Sequence, residues 1–215
     1  MAGRLGINPW LTIWCSPRQT ITRILKVDPS YRFVWLSAIY GFPMLLQISQ
    51  SLSLSFYFSW PIIMAGALIL SPFAGMLGFT IIAGLLFWVG RWIGGTGNFI
   101  SIRAAVSWAN APNIVTGLSW LVLIALFQDR IFYDGFMQRS FVGREQGVLS
   151  FVAALQFVIA VWSFVLLLKT LAEVQRFSVW KALLNVILPF ALFVIALWVA
   201  MWLIWWIKDF MLNYT

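Results

Sequence analysis

The feature that most limits what this chain can fold into is the absence of Asp, Glu, Lys and Arg from Phe33 to Gly90. The whole chain is 62% hydrophobic and 9% charged, whereas soluble proteins carry roughly 25% charged residues. A water-soluble globule is therefore excluded. Apolar runs of this length predict helices that span a membrane, and the 14 tryptophans suit the headgroup boundary of a bilayer.

The apolar runs predict an all-α polytopic membrane protein with five transmembrane helices, at about 32–51, 73–92, 113–129, 148–169 and 183–207. A straight helix over 60–90 would be roughly 46 Å long, against about 30 Å of hydrocarbon. We therefore predict that Ser71-Pro72 divides this run into a half-helix at 60–70 and the second span. A single tilted helix, kinked at Pro72, is the alternative.

The N-terminal segment contains three pairs of a capping residue and a proline: Asn8-Pro9, Ser16-Pro17 and Asp28-Pro29. Because such pairs open helices, they predict helices at about 9–15 and 17–27 and a third start at Pro29 that runs into the first span. We expect residues 1–31 to form helices in the membrane interface, and residues 32–215 to form the five-span domain. A mobile basic tail is the alternative, and its tryptophans argue against it.

The positions of the basic residues predict the orientation. Ten lie on one side of the predicted spans: Arg4, Arg18, Arg23, Lys26, Arg32, Arg91, Arg103, Lys169, Arg176 and Lys181. Four lie on the other: Arg130, Arg139, Arg144 and Lys208. This bias predicts a cytoplasmic N-terminus and a C-terminus outside. The cations stand singly at span ends, which favours anionic lipid headgroups as partners and argues against nucleic acid.

A glycine-rich turn, Gly94-Gly95-Thr96-Gly97, follows the second predicted span. It lacks the Lys-Ser/Thr and the preceding strand of a phosphate-binding loop, so we interpret it as a tight turn with positive-φ positions. Asn98 can cap the next helix, and Asn110 with Pro112 ends it.

The segment after this turn is amphipathic. Phe99, Ile102, Val106 and Ala109 recur at steps of three and four residues. We therefore predict a helix in the membrane interface, with Arg103 near the headgroups.

The chain offers little for catalysis. It has no histidine and one cysteine, which excludes imidazole-based metal and catalytic sites and an internal disulfide. Glu173 and Lys181, beside Trp180, could form an acid–base pair, but no nucleophile accompanies them. Pairing of Glu173 with Arg103 or Arg176, as a tether between loops, is the preferred interpretation. We expect no catalytic residue, no metal and no cofactor.

Four stretches carry a family resemblance: Asn8-Pro9-Trp10, Gly94 to Phe99, Ala104 to Pro112 and Leu171 to Leu183. Together they resemble the Yip domain family (Ypt/Rab-interacting proteins), especially its short bacterial members. The resemblance implies five membrane-spanning helices, a cytoplasmic N-terminus and, for a bacterial member, the inner membrane.

Eukaryotic relatives are associated with vesicle trafficking and bind Rab-type GTPases through a longer N-terminal region. That region is only about 30 residues here and lacks its acidic-aromatic motif, which argues against small-GTPase binding.

Two functional hypotheses follow. The first is a non-enzymatic membrane protein that organises or shapes the bilayer through self-association or partner binding, with lipids, further copies or other membrane proteins as partners. The alternative is a transporter, channel or scramblase for a lipid or small neutral solute, built around a broken helix at Pro72. The candidate functional residues are Pro72, Gly94, Gly95, Gly97, Phe99, Arg103, Trp108, Asn110, Pro112, Glu173, Trp180 and Lys181.

Overall fold

A computed structural model describes residues 6–133, 136 and 141–214, with side chains described as far as Trp206. Within these residues all regular structure is helical. The α-helices are α1 (Pro9–Cys15), α2 (Pro17–Val27), α3 (Phe33–Ser51), α4 (Trp60–Trp92), α5 (Phe99–Ala109), α6 (Asn113–Phe127), α7 (Arg144–Gln175) and α8 (Val179–Tyr214). Of the cations used to predict the orientation, Arg4, Arg139 and the side chain of Lys208 lie outside the described residues.

The first two helices have the predicted bounds. The Asn8 side chain accepts a hydrogen bond from the Trp10 N–H at 3.2 Å, and Pro9 and Pro17 occupy first helical positions. A side-chain cap and a proline therefore set the start of α1. The start of α2 is set by Pro17 without a side-chain cap, because the predicted cap at Ser16 is not formed.

The predicted helix start at Pro29 is wrong, because α3 begins at Phe33. The Asp28 carboxylate accepts the Ser30 N–H at 2.9 Å, and Arg32 has a φ of 56°. These two features hold residues 28–32 in a turn instead of a helix.

The predicted break at Ser71-Pro72 is also wrong, because α4 is continuous from Trp60 to Trp92. Pro72 has no N–H to offer the carbonyl of Leu68. The hydroxyl of Ser71 donates to that carbonyl instead, at 2.8 Å. The helix is roughly 50 Å long, so it tilts or extends past a bilayer core of about 30 Å.

The helices α3 and α4 approach each other at two glycines, near the middle of both. A methyl group at Gly41 would overlap the carbonyl oxygen of Ser71, and one at Gly75 would overlap the carbonyl oxygen of Ser37. Each glycine lies one turn after the serine of its own helix. Small residues at this spacing let two backbones come into direct contact in a membrane.

The predicted helix α5 forms, but the apolar face that its sequence pattern assigns to the membrane interface is buried in the protein. All residues from Ala104 to Ala109 are buried, and so is Ile102. The hydroxyl of Thr170 in α7 donates to the carbonyl of Ala105 at 3.3 Å. Three small alanines let α2, α4 and α7 pack against α5 from several sides, so this segment belongs to the protein core.

The last two helices are longer than the predicted spans. The helix α7 covers Arg144–Gln175 and α8 begins at Val179, so the predicted loop from Lys169 to Lys181 shrinks to residues 176–178. The predicted cap at Ser178 is confirmed, since its hydroxyl accepts the Lys181 N–H at 3.3 Å.

Two apolar cores lie at opposite ends of the bundle. The first joins α1, α2 and α5 to α3, α4, α7 and α8, and we call this the basic end. The second lies at the distal end, where Trp60 N–H donates to the Asp129 carboxylate at 2.6 Å and Arg130 pairs with Glu145 at 3.2 Å.

Within the described ranges, four helical segments are long and apolar enough to span a membrane: Trp60–Trp92, Asn113–Phe132, Arg144–Gln175 and Val179–Trp206. The helix α3 is not among them, because Gln47 and Gln50 reduce its hydropathy.

Candidate functional site

The glycine-rich turn packs directly against the end of α7. The Gly95 N–H closes the turn on the Gly90 carbonyl at 2.7 Å, and the Thr96 N–H donates to the Gln175 carbonyl at 3.3 Å. Gly94 has a φ of 87°, a conformation that favours glycine. This turn therefore fixes the end of α4 to the end of α7.

The side chain of Gln175 fills the space that the glycines leave. Its amide oxygen accepts the Gly97 N–H at 3.1 Å, and its amide nitrogen donates to the Leu86 carbonyl at 3.4 Å. Gln175 is 1% exposed. A methyl group at Gly90 or Gly95 would overlap the Gln175 amide, so these glycines are required for close packing.

A second amide lies beside this cluster. Asn185 in α8 is fully buried, and neither atom of its amide has a hydrogen-bond partner among the described residues. Its nitrogen would lie 3.2 Å from a methyl group at Gly90. An unpaired buried amide lowers stability, so Asn185 adds no hydrogen bond to the packing of α8 in this cluster.

Trp108 anchors the N-terminal helices to the basic end. Its ring is fully buried, between Trp10 (centroids 5.4 Å apart, edge to face) and Tyr31 (6.1 Å apart, stacked). The core cluster around it includes Ile13 of α1 and Ile21 of α2. The apolar sides of both N-terminal helices therefore contact protein.

The predicted pairing of Glu173 with Arg103 or Arg176 is not formed among the described residues. The Glu173 carboxylate accepts the Thr22 hydroxyl at 3.2 Å, because α2 packs against α7. The guanidinium of Arg103 lies over the Phe33 ring, 4.3 Å from its centroid, a cation–π arrangement. The tether through Glu173 thus joins α2 to α7.

The family model of the Yip1 domain matches residues 11–201, which includes every element of this cluster. The chain belongs to the Yip1 domain family. No curated protein and no solved structure matches it. The glycine turn, Gln175 and Trp108 are therefore parts of a Yip1 domain, and the match confirms the family that the sequence motifs indicate.

Of the remaining predicted residues, all lie at or near the basic end of this Yip1 domain except Pro72. Asn110 and Pro112 lie at the basic end, where the Asn110 amide donates to the Val106 carbonyl at 2.9 Å and ends α5. Phe99 packs edge to face on Phe87, with centroids 6.4 Å apart. Pro72 lies in the middle of α4, and the exposed Trp180 projects from the first turn of α8. Lys181 is also exposed, one residue further along.

Gln175 is absent from the residues that the sequence singles out, whereas Asn185 is predicted, as a polar residue within a span, to bond a neighbouring helix. Gln175 lies within the motif that carries the family resemblance, but its residue type does not indicate that it fills a glycine-lined space. Asn185 is the one amide in the apolar first half of α8, but the predicted bond to a neighbouring helix is not formed among the described residues. Among the described residues no group of His, Cys, Asp or Glu could hold a metal ion.

Proposed function

We propose that this Yip1 domain is a five-span membrane protein that organises or shapes the bilayer by self-association, without catalysing a reaction. The fifth crossing is α3, which runs beside α4 from the basic end to the distal end. Its 19 residues give a length of roughly 28 Å, close to the thickness of a bilayer core of about 30 Å. The basic end lies in the cytoplasm, as the excess of Lys and Arg there favours.

The observation that carries this proposal is the exposure of α8. None of its most apolar window is buried in the chain, although the helix is long enough to span a membrane. Every side chain from Leu192 to Trp206 is exposed. Ala196 and Ala200 place two small residues one turn apart on this helix, the spacing that permits close helix contact in lipid.

The asymmetry of the molecule supports a role in bilayer shape. The helices α1 and α2 pack at the basic end only, through the buried Ile13, Ile21 and Ile24. They add protein volume at one headgroup layer and none at the other. Mass inserted on one side of a bilayer favours curvature.

Self-association is tested by energy transfer between labelled copies in liposomes. The wild type is expected to show transfer above the level of random proximity, and Ala196→Ile with Ala200→Ile is expected to lower it, because larger side chains separate the helices. Val194→Phe adds bulk on the opposite face of α8 and is the matched control. Wild-type transfer no higher than random proximity, with unchanged vesicle shape, would refute the proposal.

The orientation is tested with the single cysteine. Cys15 is exposed at the basic end, so a membrane-impermeant maleimide is expected to label it in inverted vesicles and not in intact cells. Val142→Cys in a Cys15→Ser background places the thiol near the distal end at a residue that is 86% exposed, and the reverse pattern is expected. Labelling of both positions from one side would contradict the five-span topology.

The structure does not contain the broken helix on which the alternative, a transporter, channel or scramblase, was based. That alternative required a broken helix at Pro72, and α4 passes through Pro72 without a break. The carbonyl that the proline leaves free is bonded by Ser71, so no free backbone group remains there for a substrate.

A further inference from the structure

Two adjoining clefts lie at the basic end between α2 and α7. One is lined by residues of α2 and by Glu173, and the other by residues 15–19 and Lys169. Their volumes are about 330 and 420 Å³, and Arg18 and Gln19 line both. We call the two clefts together the basic groove.

The basic groove has a surplus of positive charge. Four cations line it, Arg18, Arg23, Lys26 and Lys169, against one carboxylate. Among the described residues the single ion pair joins Arg130 to Glu145 at the other end of the molecule. The four cations therefore have no acidic partner within the described chain, and the groove favours an anion.

The start of α2 adds to this preference. The Ser16 side chain does not cap the helix, and Pro17 has no N–H. The N–H groups of Arg18 and Gln19 thus remain free of a side-chain cap at the mouth of the groove. A helix of 11 residues also presents the positive end of its dipole here, which attracts phosphate.

The position of Lys169 favours an anion that also has an apolar part. Lys169 and Trp162 lie two turns apart on one face of α7, and Trp162 is 39% exposed on an apolar helix long enough to span a membrane. A ligand held by Lys169 would therefore have an apolar surface beside it.

We propose that the basic groove binds the phosphate of an anionic phospholipid headgroup, with the acyl chains along the face of α7 that carries Trp162. This deepens the proposed membrane-organising function and rests on it only in requiring that the protein lies in a bilayer. The helix α2 packs against α7 with Ile21 and Ile24 buried in the core, so the groove exists before a lipid arrives. The Thr22 hydroxyl, which also contacts the Arg18 carbonyl at 2.8 Å, adds a hydrogen bond to Glu173 at 3.2 Å.

The test uses the full chain in detergent micelles and three probes: short-chain phosphatidylglycerol, short-chain phosphatidylcholine and inorganic phosphate. Phosphatidylglycerol is expected to bind tightest. Arg18→Gln with Lys169→Gln removes two cations and is expected to weaken that binding roughly 30-fold. Arg91→Gln with Lys181→Gln removes two exposed cations of the same end outside the groove, and should change it less than about twofold.

Glu173→Gln gives an effect that misfolding cannot produce. It removes the one negative charge of the groove but keeps an acceptor for Thr22, so phosphatidylglycerol binding is expected to strengthen about fivefold. Equal binding of the two lipids, equal losses in both double variants, or weaker binding by Glu173→Gln would overturn the proposal. Inorganic phosphate binding as tightly as the lipid would also overturn it. Energy transfer between copies, measured on the same variants, shows separately whether self-association fails.

Discussion

Gly90→Ala is the most informative single change, because it adds one methyl group to the cluster around Gln175. The methyl would overlap the Gln175 amide and lie 3.2 Å from the Asn185 nitrogen. Both neighbours are side chains, but Gln175 is held by two hydrogen bonds and is 1% exposed. It can move only by giving up its contacts with Gly97 and Leu86.

The expected loss follows from those contacts. Leaving a buried donor or acceptor unpaired costs about 1–3 kcal/mol, and overpacking costs about 1–3 kcal/mol. Replacing a helical glycine with alanine returns roughly 0.5–1 kcal/mol. We therefore expect Gly90→Ala to lower the free energy of unfolding by about 2–4 kcal/mol.

The assay is unfolding of the purified protein by sodium dodecyl sulfate in mixed micelles, followed by tryptophan fluorescence. Gly84→Ala is the control on the same helix, since a methyl group there meets nothing within 4 Å. It is expected to raise the unfolding free energy by roughly 0.5–1 kcal/mol. The two substitutions should therefore differ in sign.

A double-mutant cycle separates the proposed cause from a general effect on α4. In a Gln175→Ala background the clash disappears, so Gly90→Ala should change stability by less than about 1 kcal/mol. The coupling energy between the two sites, which is the difference between the two effects of Gly90→Ala, is then about 2–4 kcal/mol. If the two losses simply add, within about 0.5 kcal/mol, the account of this packing is wrong.

Three further substitutions test other contacts by the same unfolding assay. Gly41→Ala should lower the free energy of unfolding by about 3 kcal/mol or more, since its methyl group meets the backbone of Ser71. Gly66→Ala is the control and should be neutral or stabilising, because a methyl group there meets nothing within 4 Å. Equal effects of the two substitutions would refute the close contact. Trp108→Ala should cost about 3–5 kcal/mol and speed proteolysis of α1; unchanged proteolysis would contradict the anchoring role. Ser71→Ala should cost about 1 kcal/mol and less in a Pro72→Ala background; an unchanged cost there would show that the hydroxyl does not replace the missing N–H.

The parts of the fold that local chemistry determines are predictable from the sequence. The start of α1 follows from a capping residue and a proline, and that of α2 from a proline alone. Asn98 caps α5 as predicted, accepting the Ser101 N–H at 2.8 Å. Family membership follows from motif order, as the match over residues 11–201 confirms.

The parts that depend on a partner elsewhere in the chain are not predictable in this way. The continuity of α4 depends on Ser71 serving the carbonyl of Leu68, which a rule about proline alone does not include. The burial of α5 has the same origin, because one apolar face is visible in the sequence but the helices that cover its other sides are not. The role of Gln175 cannot be predicted from the sequence for the same reason, since its surroundings are formed by glycines from another helix and from a turn.

At the basic end, the contacts between α1, α2, α4, α5 and α7 connect these helices in a ring. The glycine turn holds the end of α4 to Gln175 of α7, and Glu173 of α7 holds α2 through Thr22. The helix α1 packs on α2 and also on Trp108 of α5, and α5 returns to the glycine turn. Each element is held from two sides, so loosening one contact leaves the others in place. The helix α8 joins these contacts at its start, where Asn185 has no hydrogen-bond partner in the part of the chain that the structure describes. The side chains from Leu192 to Trp206 of α8 are exposed, so the proposed self-association through this helix would leave the contacts at the basic end undisturbed.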